Sequence, residues 1–324
     1  MYRYILAATA LKAFSLNATT RRLYRRVGNK VGARRRAATV DLKTYVSRGD
    51  LLVELLRKYC SMREGQHLLE IGTGWMHWFA LYLRLFVEAE IATVDVWDNR
   101  QFEALKSAFA RLEAILIERA APRSVRENLR AILSVHDFGD LYRRLNMSYT
   151  IQRDGSLAGF ADHSYDCVFS LHVLEHVPRE SVNCLFTEMY RVLTPGGFMI
   201  HQIGIDDHLS HYDLSCSPKQ YLAYSDRRWK LLFENSLQYI NRLQMSDWLR
   251  AFGTAGFLVR ETLPIYADVS ALRIHSSYAG YANRDLACRN LTVVLQKPTT
   301  TASAALDRST RDHSHRRPPS AIAR

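Results

Sequence analysis

The stretch HLLEIGTGWMHWFALYL, residues 67–83, decides the fold. An apolar run carries a carboxylate, Glu70, and then gives way to Gly72-Thr73-Gly74, after which an apolar helical spacing resumes at Trp75. That order reads as strand, tight turn and helix, the turn stripped of side chains so that a ligand can approach its backbone N–H groups. A lone Gly-x-Gly is weak evidence. The third small position of a dinucleotide fingerprint holds His77, and the Gly-Lys-Ser/Thr of a phosphate loop is absent. Its company strengthens it: Glu70 stands two residues before the first glycine, and Asp95 ends the next strand. A carboxylate at that tip is placed to accept both hydroxyls of a ribose.

Outward from this stretch, apolar runs alternate with helical patterns. Residues 49–62 and 100–120 have helical spacing, and IATVDV (91–96) reads as a second strand. YDCVFSLHV (165–173) is a buried strand and RESVNCLFTEMYRVL (179–193) a helix. Pro195-Gly196-Gly197 turns into the strand FMIHQIG, and the helix MSDWLRAFGTAGF and strand LTVVLQK (291–297) follow. Such alternation predicts a Rossmann-like α/β fold, a mostly parallel sheet with helices on both faces.

The formal charge of +12 belongs to the ends. Residues 1–48 hold twelve Lys/Arg against Asp41 alone, and residues 298–324 hold five Arg against Asp307 and Asp312, so the middle is near neutral. The expected organisation is a basic helical N-terminal extension (1–48), a catalytic-type domain (49–298) and a disordered tail (299–324) with almost nothing to bury. The extension reads as a solvated arm packed loosely on the domain. The alternative is a peripheral contact with an anionic membrane face, each basic residue near the surface adding about 1 kcal/mol. Five scattered cysteines without a CxxC pair argue against a disulfide framework or a structural zinc, and for a reducing compartment. No run spans a bilayer, and Lys12 interrupts the only N-terminal apolar stretch, unlike a signal peptide. A cytoplasmic protein, in contact with the inner membrane face at most, is expected.

LLEIGTG, TVDV, DGSLAGFADHSYDCVFSLHVLEHV and YRVLTPGGFMI, in this order, resemble the class I S-adenosylmethionine-dependent methyltransferases over about residues 50–297. The resemblance implies a seven-stranded sheet with its last strand antiparallel. It implies that the turn Glu70, Gly72, Thr73, Gly74 cradles the methionine part of S-adenosylmethionine and that Asp95 binds its ribose. Asp154 would contact the adenine amino group, and Ser170 to His172 would border the methyl donor. The segment from Asp207 to Trp248 resembles a bacterial subgroup associated with glycan or polysaccharide biosynthesis.

Methyl transfer is a displacement at carbon, so positioning dominates, and an oxygen acceptor also needs a base. Two groups could supply it. His172, Glu175 and His176 sit at i, i+3, i+4 past the fourth strand, and His208 and His211, among Asp206, Asp207 and Asp213, follow the fifth. His208, His211 and His176 are therefore the candidate catalytic residues. The site is read without a metal, but His172, Glu175, His176 and His208 leave a divalent ion as the alternative. The stretch 221–243, inside an insertion at about 206–243, mixes aromatics with arginines and would either cover the acceptor or pack on the sheet.

The leading reading is O-methylation of a small-molecule or glycan acceptor. A nucleic-acid (RNA) methyltransferase is the first rival, but SLHV replaces the Asn/Asp-Pro-Pro-aromatic stretch of base-amine enzymes, and the basic residues avoid the cleft. A non-catalytic interaction module of the same fold is the second.

Overall fold

A computed structural model describes residues 1–30, 40–60 and 65–299 of the 324-residue chain. The basic linker at 31–39 and the tail from residue 300 lie outside the described residues. Seven strands build one sheet: β1 (Gln66–Ile71), β2 (Ala89–Asp95), β3 (Met147–Ile151), β4 (Tyr165–Leu171), β5 (Leu193–Gly204), β6 (Leu258–Tyr266) and β7 (Cys288–Gln296). Their order is β3-β2-β1-β4-β5-β7-β6. β1 pairs parallel with β2 and β4, while β7 runs antiparallel to both its neighbours, β5 and β6. This is the Rossmann-like, mostly parallel sheet that the sequence pattern predicts, with the seven strands and antiparallel last strand that the resemblance implies.

Side chains alternate across each strand and so feed two cores. Leu68, Cys167 and Phe169 enter one, with α3 (Leu42–Tyr59), α4 (Trp78–Arg84), α5 (Phe102–Glu118), α6 (Arg123–Ser134) and α7 (Phe138–Arg144). Leu69, Ile71 and Val168 enter the other, beneath α8 (Val182–Val192) and α10 (Met245–Thr254). Helix α3 begins at Leu42 rather than Gly49 because Asp41 caps it, its side chain accepting from Thr44 N–H at 3.3 Å. Helix α4 begins at Trp78 rather than Trp75, because His77 takes a left-handed backbone (φ 48°) and the glycine turn extends to it.

A third apolar cluster sits over the carboxyl ends of the strands. Helix α1 (Tyr2–Ser15), which leads into α2 (Ala18–Lys30), inserts Tyr4, Ala8 and Leu11 among Leu209, Tyr221, Trp229 and Phe233. The first helix is thus docked, not loose: the Tyr4 hydroxyl donates to Asp207 Oδ2 at 2.7 Å. Of the aromatics in 221–243, Tyr221, Trp229 and Phe233 are buried here as packing. Arg242 lies over the Trp229 ring at 5.0 Å and pairs with Asp226, the first residue of α9 (Asp226–Leu232), at 2.8 Å. Helix α11 (Asn283–Ala287) leads into β7 and contributes Leu286 to the same cluster.

Candidate active site

A cleft of about 480 Å³ opens at the carboxyl ends of β1, β2 and β4, lined by Gly72, Asp95, Asp154, Val173, His176 and one stripe of α8. Gly72 lines its floor, and Gly74 stands in the same turn. Gly72 (φ 72°) donates to Val94 O at 2.8 Å, and a Cβ there would stand 2.4 Å from Val173 Cγ2. Gly74 (φ 69°) has no atom within 4 Å of where a Cβ would be, so the turn faces open space.

Glu70 does not face that space. It is buried, and Thr73 Oγ1 donates to its Oε2 at 2.6 Å while lying 2.7 Å from His77 Nδ1. His77 Nε2 lies 3.0 Å from the Tyr142 hydroxyl. Burial pushes the Glu70 carboxyl up to about 8, against the Thr73 and Ala80 hydrogen bonds, and pulls the His77 imidazole down to about 3. Both are therefore mostly uncharged at neutral pH, and Glu70 and Thr73 act as a brace beneath the turn.

Asp95 belongs to the cleft itself. Its Oδ2 accepts from Gly74 N–H at 3.1 Å and its Oδ1 from Val96 N–H at 2.7 Å. Burial raises its carboxyl above the usual range, opposed by these N–H groups. The next strand arrives alongside, with Gln152 N–H donating to Asp95 O at 2.9 Å. There the exposed Asp154 accepts from Ser156 N–H at 3.1 Å, and that bond lowers its carboxyl.

Residues 69–201, which contribute this turn and both carboxylates, match the family model described as "Methyltransferase domain". This part of the chain is a methyltransferase domain of the class I S-adenosylmethionine-dependent kind. No curated protein matches the chain. Among solved structures it is similar to the [4+2]-cyclase SpnF at 16% identity over 77% of this chain and 81% of that one, with a TM-score of 0.44. An S-adenosylmethionine-dependent methyltransferase from Methanosarcina mazei shares 15% identity over 76% and 97% of the two chains, TM-score 0.44. Phosphoethanolamine N-methyltransferase 2 from Haemonchus contortus, in complex with S-adenosyl-L-methionine, shares 14% over 77% of this chain and 53% of that one, TM-score 0.44. Likenesses this distant assign no residue and no acceptor to the methyltransferase.

Ser170 does not line the methyltransferase's cleft. Strand alternation turns it inward, where it is fully buried 2.7 Å from His201 Nδ1, and the His201 ring stacks on Phe252. His172 also stands back from the cleft. Its Nδ1 lies 3.1 Å from Glu175 Oε1 and its Nε2 3.4 Å from Asn290 Nδ2. Ser181, the residue before α8, and Cys184, Leu185 and Glu188 on it form one stripe of the cleft wall that no motif marks, although its i, i+3, i+4, i+7 spacing on an expected helix carries the signal.

The two histidine groups come together. His176 and His208 ring centroids are 5.0 Å apart, and His208 stacks on His211 at 5.5 Å. His211 Nε2 lies 2.8 Å from Asp206 Oδ2, a bond that raises the imidazole's pKa. Burial and the neighbouring His176 pull His208 down to about 4. Glu175 is buried, which alone would raise its carboxyl, but the His172 hydrogen bond and the histidine charges more than offset this and leave it lowered. Only His176 of these histidines also lines the cleft, so it joins the cluster to the cofactor side.

Proposed function

We propose that this methyltransferase methylates a hydroxyl of a small-molecule or glycan acceptor. The observation that carries the reading is the continuity from Gly72, Asp95 and Asp154, through His176, to His208, His211 and Asp206. When bound, S-adenosylmethionine supplies a sulfonium methyl group open to displacement at carbon. In this reading the Gly72–Gly74 backbone takes the methionine part, Asp95 the ribose hydroxyls and Asp154 the adenine amino group. His176 and His208 hold the acceptor oxygen, and His211, oriented by Asp206, takes its proton.

A second feature favours an acceptor presented at a membrane. Helix α1 buries Tyr4, Ala8 and Leu11, yet leaves Tyr2, Ile5, Leu6 and the following Leu16 at least half exposed. An apolar outer face beside the basic residues of 1–48 suits the cytoplasmic face of an anionic bilayer. No helix among the described residues is long and apolar enough to cross a membrane.

The test is a donor-label transfer screen against extracts split into lipid, glycan and nucleic-acid fractions. Chain-dependent label in glycan or lipid-linked glycan is expected. Label confined to nucleic acid would overturn the acceptor class, and no cofactor binding by calorimetry would overturn the enzymatic reading altogether.

A further inference from the structure

Glu175, His176 and His208 each offer a ligand atom, and the three atoms lie within 4.8 Å of one another. Their surroundings hold two of the three in place. Glu175 is 2% exposed; its Oε1 accepts from Gly204 N–H at 3.1 Å and faces His172 Nδ1, while its Oε2 is buried with no partner at all. A buried carboxylate oxygen left without a partner costs free energy unless something completes it. His176 Nδ1 lies 2.6 Å from Tyr239 O, which commits that nitrogen as the donor and leaves Nε2 as a free lone pair. The same segment pins the ligand turn, since Asn241 Nδ2 donates to Leu174 O at 2.9 Å and to Val177 O at 3.0 Å. Ligating histidines are usually oriented in this way, their second nitrogen bonded to a carbonyl or carboxylate.

We infer that Glu175, His176 and His208 form a binding site for a first-row divalent cation of the zinc(II) or manganese(II) class, at the acceptor end of the cleft. Two imidazoles and one carboxylate favour such ions over calcium or magnesium, which take oxygen ligands. His172, with both ring nitrogens engaged, supports Glu175 rather than binding the ion. Three protein ligands leave positions open, and the ion would take an acceptor oxygen there; this role rests on the hydroxyl-acceptor reading above, whereas binding of the ion does not.

Equilibrium dialysis of the chelator-stripped full chain against zinc(II), manganese(II) and magnesium(II) tests the site. One equivalent of zinc or manganese should bind, with magnesium at least tenfold weaker. His208→Ala and Glu175→Gln should each weaken binding by at least about 100-fold, beyond the 10–100-fold typical of second-shell losses. His67→Ala, exposed at the opposite end of the sheet, should leave it unchanged. Cofactor affinity, measured alongside, shows that each variant is folded. Should Glu175→Gln not fold, His208→Ala decides. The inference is overturned if no stoichiometric ion binds, or if binding survives in a folded variant. Zinc bound without any methyl transfer to a hydroxyl acceptor would leave the ion site standing and sink the acceptor reading.

Discussion

Replacing Asp95 by asparagine removes one charge from the cleft and little else. The side chain keeps its shape, and its remaining carbonyl can still accept from Gly74 N–H, now 3.1 Å from Oδ2, or from Val96 N–H, 2.7 Å from Oδ1, but not from both. One bond to a charged acceptor should therefore be lost from the free protein, a stability cost of about 1.5–3 kcal/mol. Binding should suffer as well. Hydrogen bonds to a charged group are worth about 1.5–3 kcal/mol, so losing the charge facing the ribose hydroxyls should weaken S-adenosylmethionine by roughly 10- to 150-fold. The contrast is Glu70→Gln. Because burial holds the Glu70 carboxyl up near 8, its side chain is mostly protonated at pH 7, and an amide that still accepts from Thr73 should change affinity less than about threefold, well under one decade per 1.4 kcal/mol. Titration calorimetry of both variants at pH 7, with thermal melts of the free proteins, separates binding from folding. Asp95→Asn binding as tightly as the parent, or Glu70→Gln losing as much as Asp95→Asn, would refute this assignment of the two carboxylates.

His211→Ala should lower turnover by about 10²–10⁴-fold in a label-transfer assay while cofactor affinity stays put; unchanged turnover would remove His211 from the reaction. Ser170→Ala should leave cofactor affinity unaltered but cost about 1–3 kcal/mol in denaturant unfolding, because it strands His201 in the core. Lys219 is fully buried, donating to Ile205 O, Gln244 Oε1 and Cys288 O, and burial pulls its pKa down from 10.5 to about 7. Between those values the unfolded chain holds the extra proton, so stability gains with rising pH and the gain is lost as pH falls back through about 7. Relative to Lys219→Met, the parent's unfolding free energy should climb by about 1.4 kcal/mol per pH unit from pH 7 towards 9, and a gap independent of pH would contradict the buried lysine. Ile5→Glu with Leu6→Glu, on the outer face of α1, should abolish sedimentation with phosphatidylglycerol vesicles while melting temperature holds. Equal binding to neutral phosphatidylcholine vesicles would rule out an anionic surface as the partner.

What the sequence made legible follows from burial. β1, β2, β4, β5 and β7 are covered on both faces and read as near-continuous apolar runs. β3 and β6 escaped individual reading because they are the two edges. β6 is half-buried only at every third residue, exposed between, and carries Pro264 on the edge of the sheet. The site divides along a related line. Gly72, Asp95, Asp154 and His176 stand at strand tips or in the loops just beyond, where side chains have no sheet to enter, so residue chemistry and, for Asp154, the family resemblance pointed to the cleft. Ser170 is still inside a strand, where a period of two decides which face it joins, and a resemblance of motifs carries no such phase. The clustering of His176 with His208 depends on contacts between loops distant in sequence, set by Tyr239 and Asn241, whose positions no local pattern reveals. That explains why the acceptor side, more than the cofactor side, has to be read from the structure. In the proposed reading the cofactor meets one turn and two strand tips within the matched domain, whereas the acceptor end would be assembled from an insertion and the N-terminal helix. Tyr4 bonding to Asp207 places α1 directly behind His208. Any surface or ligand that engages α1 therefore acts one residue away from the histidine cluster.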